Sequence, residues 1–439
     1  MAPMSPLLAD LERRGLVHDT TDRDALAARL AGGPITLYHG CDPSAPSLHV
    51  GNLIGLIMLR RFQEAGHRPI ALAGGATGMI GDPGGRSEER NLLDVETLAA
   101  NVAAIKEQIG RILGPEGPWS LVDNLTWSQD LRVLDFLRDV GKHVTVNQMV
   151  ARDSVKTRMT SDHGISYTEF SYMLLQANDY AWLHANEGCE LQIGGSDQWG
   201  NILSGVDLIR RQSGAAVHAL SWPLLLAADG TKLGKTTGAR VWLDPALTSS
   251  YAFFQHWMQT DDVDLPRMLA QFTLVPMDEV DALVEAHAAA PGRREGQRAL
   301  AVAVTALVHG PDQAAAAAEA AGILFGGDPS QASASALAVV AAEVPSAGLE
   351  PGEDLGAGVD LVPVLVRSGL AASLGEARRQ LDQRGISVNG DKAEPGRLLG
   401  TSDLLQGRWV LLRKGKRDWA VVDVTNAPDP RVDTSQPQP

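Results

Sequence analysis

The stretch Leu37-Tyr38-His39-Gly40-Cys41-Asp42-Pro43-Ser44-Ala45-Pro46-Ser47-Leu48-His49-Val50-Gly51-Asn52-Leu53 decides the fold. It begins at the end of the apolar run Pro34–Tyr38, whose β-branched and aromatic residues predict a short buried strand. A loop rich in Gly, Asp, Pro and Ser breaks that strand. Residues Leu48 to Gly66 then show helical periodicity and stop at a glycine. Strand, turn and helix in this order put the loop at the carboxyl end of a strand, where open α/β sheets bind ligands. His49 and Asn52 are three apart and share a face of the first helical turn. Free N–H groups and the helix dipole favour an anion there, and Gly51 lets a flat ring or a phosphate approach the backbone. By itself, one histidine near a helix start reads as simply as a cap or a surface group.

A second element stands far downstream, Ala228 to Gly238, ADGTKLGKTTG. Lys232 and Lys235 sit three apart in a Gly/Thr-rich loop, with hydroxyls from Thr236 and Thr237. This is the composition of a phosphate-gripping loop, although the G-x-x-x-x-G-K-[ST] spacing is absent. A solvated lysine turn has the same composition. Together the two elements are far more specific. His49-Val50-Gly51-Asn52 and Lys232-Leu233-Gly234-Lys235-Thr236 resemble the paired HIGH and KMSKS motifs of class I aminoacyl-tRNA synthetases.

The 439 residues suffice for two to four domains, and 44% hydrophobic with 21% charged residues is an ordinary globular balance. No apolar run approaches the roughly 20 residues of a membrane helix, so no membrane partner is expected. The opening residues MAPMSPLLADLERRG lack an apolar secretory core. Cys41 and Cys189 have no metal-site spacing and read as free thiols of a cytoplasmic protein. Net charge is −15, but residues 359–424 hold 11 Lys/Arg against 8 Asp/Glu, a net of +3, which leaves −18 for the remainder. An acidic bulk confines any RNA to local basic patches.

Residues 1 to about 33 read as a helical lead-in. Arg68–Ala73 is a second apolar strand that runs into Gly74-Gly75-Ala76-Thr77-Gly78-Met79-Ile80-Gly81-Asp82. Leu98–Leu113 is helical, Trp119–Val122 a strand, Ser128 to about Glu187 mostly helical, and Glu190–Ile193 a strand before a helix through Arg211. Alternation of this kind argues for a parallel sheet. Ser249–Phe325 has helical periods, and its alanine-rich part reads as helix propensity and close packing. Gly326–Gly358 has the composition of a linker with a short helix, and the tail from Thr425 is Pro-rich and polar, as disordered tails are.

The block Asp153–Tyr180, the run Leu191–Asn201 (LQIGGSDQWGN) and DPALTSSYAFFQHW at Asp244–Trp257 resemble, in the same order, the bacterial tyrosyl-tRNA synthetase family. The likeness spans essentially the whole chain. It implies an α/β fold: a class I Rossmann-type doubly wound parallel sheet, then an α-helical domain and a small α+β RNA-binding module. Mapped here, that is a catalytic domain at 1–228 with a helical insertion at about 128–187, the lysine loop and link at 229–248, and a helical domain at 249–327. A linker at 328–358, the module at 359–424 and a tail at 425–439 follow.

The resemblance implies activation of L-tyrosine by ATP, with Mg²⁺ carried by the nucleotide, followed by transfer to tRNA(Tyr) in a homodimer whose interface lies near Val133–Met149. A carboxylate is already ionised at neutral pH, so the chemistry needs positioning and charge stabilisation rather than a general base. His49, Asn52, Lys232, Lys235 and Thr236 would serve the triphosphate, joined by Arg86 and Arg90. Tyr38 and Asp179 would hold the phenol, while Tyr172, Gln176 and Asp82 would hold the ammonium. Tyr172, Gln176 and Asp179 follow an i, i+4, i+7 row, a spacing an ordinary core stripe shares. Gly40, Asp42, Gly51, Gln192, Gly195, Asp197 and Gln198 would line the adenylate. For tRNA the resemblance points to Arg378, Arg379, Arg384, Arg413, Lys414, Lys416 and Arg417 in the module, and to Lys156, Arg158, Arg210 and Arg211 for the acceptor end.

The chain departs from the family pattern in places. Asn52 replaces a second histidine, His39 stands where a cysteine is common, Cys41 takes a usually bulkier position, and Arg86 replaces a lysine. Three other readings use some of the same motifs. A tryptophanyl synthetase would lack the C-terminal module, and a non-catalytic RNA-binding relative would have no need of His49, Lys232, Lys235, Asp82 and Asp197 together. A small nucleotidyltransferase is disfavoured by length and by the late lysine loop.

Overall fold

A computed structural model describes residues 5–82, 93–115, 117–160, 164–224 and 240–425. The chain divides into two units, residues 1–249 with 256–308 and residues 250–255 with 309–439.

The first unit is built on a six-stranded sheet of β1 (Asp19–Thr20), β2 (Thr36–Cys41), β3 (Arg68–Ala73), β4 (Ser120–Asp123), β5 (Cys189–Gly195) and β6 (His218–Trp222), in the order β1-β6-β5-β2-β3-β4. All neighbours are parallel except β1, which pairs antiparallel with β6. The lead-in therefore holds an edge strand that its helical pattern hid. The chain winds outward from β2 through β3 to β4, then returns to β5 on the other side of β2. That reversal is the switch point at which doubly wound sheets bind ligands. Pairing of β2 with β5 ends at Tyr38↔Gln192, although both strands run on, while β2 with β3 stays paired to Cys41↔Ala73. The parting of β2 and β5 opens a crevice at their carboxyl ends.

The Val50–Glu64 helix is apolar all round, with Leu53, Ile54, Leu56, Ile57, Met58, Leu59 and Phe62 buried. A helix of that kind belongs inside a core. Each such side chain contributes about 1.5–3 kcal/mol by leaving water. Its far end is pinned by Arg61, buried, which donates to the carbonyls of Ala270 and Thr273. Arg14 donates to Ala270 O at 2.9 Å and Val275 O at 2.8 Å. The two guanidiniums thus meet carbonyls at and just beyond the end of the Leu265–Phe272 helix, where helical carbonyls lack intrahelical partners.

The second unit carries a five-stranded sheet. Its strands are β7 (Ser346–Ala347), β9 (Ile386–Val388), β10 (Asp391–Lys392), β12 (Trp409–Lys414) and β13 (Asp418–Asp423), in the order β10-β9-β12-β13-β7; β8 (Val359–Asp360) and β11 (Leu398–Leu399) form a separate pair. Strand alternation sends Val410, Leu412, Ala420 and Val422 to one face, against the Leu361–Arg367 and Leu374–Asp382 helices. Trp409, Leu411, Trp419 and Val421 go to the other, against Ala336, Leu337 and Val340 of the Ala334–Glu343 helix.

Residues 328–358 are therefore not a linker. They supply the helix that covers one face of this sheet and the strand β7 that closes its edge in parallel with β13. The Gly, Ser and Ala content that reads as flexible is a Ser333 cap and small residues packed close. The stretch 249–327 does not form a domain of its own either, since 256–308 belongs to the first unit and the Pro311–Leu324 helix to the second. The tail beyond Thr425 lies outside the described residues.

Candidate active site

The crevice is a cleft of about 420 Å³ at the carboxyl ends of β2, β3 and β5. Tyr38, Gly40, Asp42, His49, Gly51 and Asn52 line it from β2 and the following turn. Asp82 comes from the turn after β3, and Tyr172, Gln176 and Asp179 from one face of the Tyr167–Glu187 helix. Gln192, Gly195, Asp197 and Gln198 complete it from β5 and the turn beyond. Lys232, Lys235, Thr236, Arg86 and Arg90 lie outside the described residues.

At one end of the cleft the side chains are wired together. Asp179 accepts from Asn124 Nδ2 at 2.9 Å and from Trp127 Nε1 at 2.8 Å. Asn124 Nδ2 also donates to Thr77 Oγ1 at 3.0 Å, and Thr77 Oγ1 donates to Asp42 at 2.7 Å. Tyr172 OH donates to the other oxygen of Asp42 at 2.8 Å. Gly74 permits this closeness, because a Cβ there would stand 2.2 Å from Asp42 Oδ1. Burial pushes Asp179 up to about 7 despite the two donors that oppose it. Burial, with the Asp179 charge beside it, raises the Tyr38 phenol well above its ordinary value.

Three buried polar atoms of this cleft, Tyr38 OH, Gln176 Oε1 and Gln192 Oε1, have no hydrogen-bond partner among the described residues. An unmet buried polar group costs about 1–3 kcal/mol, so three in one cleft fit a polar ligand rather than an apolar one.

The other end is a helix start. His49 caps the Val50–Glu64 helix, its Nδ1 accepting the Gly51 N–H at 2.9 Å, while Asn52 Oδ1 accepts the His49 N–H at 3.1 Å. This reciprocal cap consumes one atom of each side chain. It leaves His49 Nε2–H and the Asn52 amide N–H₂ as donors, a use that the spacing alone did not reveal. Burial, helped by the charge of Arg240, lowers His49 to about 4, so the imidazole is neutral at pH 7. Asp82 accepts from Gln198 Nε2 at 2.5 Å, and Gln198 Oε1 accepts from Asn201 at 3.1 Å.

His39 follows the last residue of β2 that pairs with β5, and its Nδ1 donates to Ile193 O at 3.2 Å, continuing by side chain the pairing with β5 that the backbone has dropped. Cys41 Sγ lies 3.6 Å from its Nε2. Burial lowers His39 to about 4 and pushes the Cys41 thiol up to about 12, so the pair is a neutral imidazole and a protonated thiol. Gly55 makes room for this ring, since a Cβ there would stand 2.2 Å from Nε2.

Asn124, Trp127, Thr77 and Arg240 were not among the residues picked from sequence. Asn124 closes a strand, and the rule that ligands gather at strand carboxyl ends singles it out; nothing local marks Trp127. Arg158 is not a surface charge. It is buried in a paired contact with Glu169 at 2.8 and 2.9 Å.

In the second unit Arg378, Arg379, Lys416 and Arg417 are exposed, and Arg384 is exposed but paired with Glu394 at 2.9 Å. Lys414 pairs with Glu376 at 2.9 Å, and Arg413 lies 4.9 Å over the Trp419 ring and donates to Lys416 O at 2.8 Å.

Two family models match, one of class I tRNA synthetases (W and Y) over residues 30–326, the other a tyrosine–tRNA ligase SYY-like C-terminal domain over residues 337–422. The second begins within the Ala334–Glu343 helix, in agreement with the recovery of that segment for the C-terminal sheet. A tyrosine–tRNA ligase of Opitutus terrae is 51% identical over 95% of this chain and 99% of its own length. One from Mycobacterium bovis is 48% identical over 95% and 98%. The crystal structure of a C-terminally truncated mitochondrial tyrosyl-tRNA synthetase of Aspergillus nidulans matches with a TM-score of 0.67 at 32% identity, over 73% of this chain and 94% of that one. With the motifs, the sheet order and the cleft in agreement, the chain belongs to the bacterial tyrosyl-tRNA synthetase family of class I.

Proposed function

We propose a residue-level account of the reaction that this membership brings: activation of L-tyrosine by ATP to tyrosyl-adenylate and pyrophosphate, then transfer of the tyrosyl group to the 3′-terminal adenosine of tRNA(Tyr). The observation that carries it is the unmet hydrogen-bonding capacity of Tyr38, Gln176 and Gln192 beside a carboxylate held ready by Asn124 and Trp127. The substrate phenol donates to Asp179 and accepts from Tyr38 OH. Phenylalanine would leave both unmet. Gln176 Oε1, Asp82 and Tyr172 receive the α-ammonium. The substrate carboxylate then attacks the α-phosphorus of ATP as the bond to the β-phosphate breaks.

His49 Nε2–H and Asn52 Nδ2–H face the phosphates from the helix start, and Gly195, Asp197 and Gln198 hold the adenosine side. Lys232, Lys235 and Thr236, with Arg86 and Arg90, stabilise the departing pyrophosphate. Mg²⁺ arrives with the nucleotide, bound by phosphate oxygens more than by protein. The exposed arginines and lysines of the second unit take the tRNA. No helix among the described residues is long and apolar enough to cross a membrane, and the reading is of a cytoplasmic enzyme.

The protein acts as a homodimer. Its interface is the Val133–Met149 region, where the apolar side chains Val133, Leu134 and Val146 stand exposed. Sedimentation at micromolar concentration should give a dimer; a monomer would remove this assignment.

Amino-acid-dependent ATP–pyrophosphate exchange tests the whole account, with tyrosine, tryptophan and phenylalanine run in parallel. Exchange with tyrosine alone is expected. Exchange with tryptophan would keep the cleft and overturn the roles of Tyr38 and Asp179.

A further inference from the structure

Arg240 enters neither sequence motif, yet it lines the cleft beside His49, Gly51 and Asn52. It opens a short strip that is tied to the motif turn by backbone bonds: Val50 N–H donates to Val241 O at 3.1 Å, and Leu243 N–H to Leu48 O at 2.8 Å. His49 and Trp242 face each other as an isolated antiparallel bridge, their rings edge to face at 6.3 Å. The guanidinium rests 5.0 Å over the Trp242 ring, a contact that holds a cation without neutralising it. Its charge reaches His49, where it adds to burial in keeping the imidazole neutral.

The charge balance of the cleft makes this residue unusual. Among the described lining residues four are aspartates, Asp42, Asp82, Asp179 and Asp197, and Arg240 is the one cation besides neutral histidines. Asp42, Asp82 and Asp179 already accept hydrogen bonds from neutral donors of the cleft. The result is an exposed guanidinium stacked on Trp242, in the same cleft as a helix start with donors of its own. Arginine in that setting recognises phosphate oxygens.

We propose that Arg240 is a phosphate-binding residue of this site, taking the triphosphate of ATP and the pyrophosphate released from it. The inference rests on the ATP-dependent reaction described above and adds to it a cation supplied from outside both motifs.

The test uses the full chain, Arg240→Gln and Arg240→Lys. Binding of inorganic pyrophosphate is followed by calorimetry, the ATP KM by exchange, and tyrosine binding by equilibrium dialysis. In Arg240→Gln, pyrophosphate Kd and ATP KM should each rise about ten- to hundredfold, the size of one charge-assisted hydrogen bond. Tyrosine Kd and the unfolding temperature should stay in place, and Arg240→Lys should recover part of the loss.

Unchanged pyrophosphate Kd and ATP KM in Arg240→Gln would overturn the proposal. So would an equal weakening of tyrosine and ATP together with a lower unfolding temperature, which would make Arg240 a brace for Trp242. Wild-type protein that binds no pyrophosphate would also overturn it. Wild-type protein that fails to exchange, yet binds pyrophosphate and loses it in Arg240→Gln, would sink the synthetase reading and leave the phosphate role standing.

Discussion

The two ends of the cleft are built on different principles. At the end we assign to the phenol, Asp179, Asn124, Thr77, Asp42 and Tyr172 form a chain of hydrogen bonds from side chain to side chain, mostly buried. At the end we assign to the phosphates, His49 and Asn52 spend part of their capacity on capping their own helix and offer what remains, with Arg240 stacked on Trp242. The first arrangement pre-aligns a few directional groups, which is how a site tells a hydroxyl from its absence. The second gathers donors and charge around a place where charge moves during reaction, and it needs less exact geometry. Specificity and rate should therefore respond separately to substitutions at the two ends.

The largest effect is expected from Lys235→Ala. Loss of one stabiliser of transition-state charge costs about 10²–10³-fold in rate. Tyrosyl-adenylate formation in rapid-quench experiments should fall by that order while tyrosine Kd holds. An equal loss in both would show that the lysine serves structure, and the separation of the two ends would be lost.

Asn124→Ala comes next and sharpens the comparison from the other side. Removing a donor to a buried carboxylate costs about 1.5–3 kcal/mol, or about ten- to hundredfold in kcat/KM for tyrosine. The ATP KM should not follow. The pH profile supplies the signature. Because Asp179 is raised to about 7, a proton occupies it below that pH and competes with the phenol for the carboxylate. In the wild type, kcat/KM for tyrosine should fall on the acid side of about 7, approaching tenfold per pH unit. Asn124 is one of the groups that lower this pKa, so its loss should move the acid limb to higher pH. An unmoved limb would mean that Asp179 does not govern tyrosine binding.

Tyr38→Phe should be the mildest. One neutral hydrogen bond to the substrate is worth about 0.5–1.5 kcal/mol, so tyrosine KM should rise about two- to tenfold. The unfolding temperature should hold or rise, since the variant deletes a buried hydroxyl that has no partner among the described residues. A marked loss of stability would show that the hydroxyl has a structural bond after all.

Much of this molecule was legible in one dimension. The strand–turn–helix around His49 and the alternation that makes a parallel sheet follow from local periodicity and turn chemistry, which act over a few residues. The family resemblance singled out Tyr172, Gln176, Asp179, Asp82, Asp197 and Gln198, and the structure gathers these in one cleft.

What local rules could not supply was partnership across long separations. Asn124 and Trp127 matter because β4 ends beside a helix that begins more than forty residues later, where their N–H groups meet the two oxygens of Asp179. Residues 328–358 look flexible because glycine, serine and alanine favour linkers in isolation. The sheet they complete exposes Trp409 and Trp419 on a face that must be covered, and that need exists only once β12 and β13 have paired. Arg158 shows the same gap, since its composition says surface, and only the fold brings Glu169 to neutralise it in the interior. Sequence by itself determined most of the elements of the catalytic sheet and the chemistry they carry. Tertiary structure alone decided which donors meet which acceptors, because burial and the cost of an unmet polar group are properties of three-dimensional surroundings.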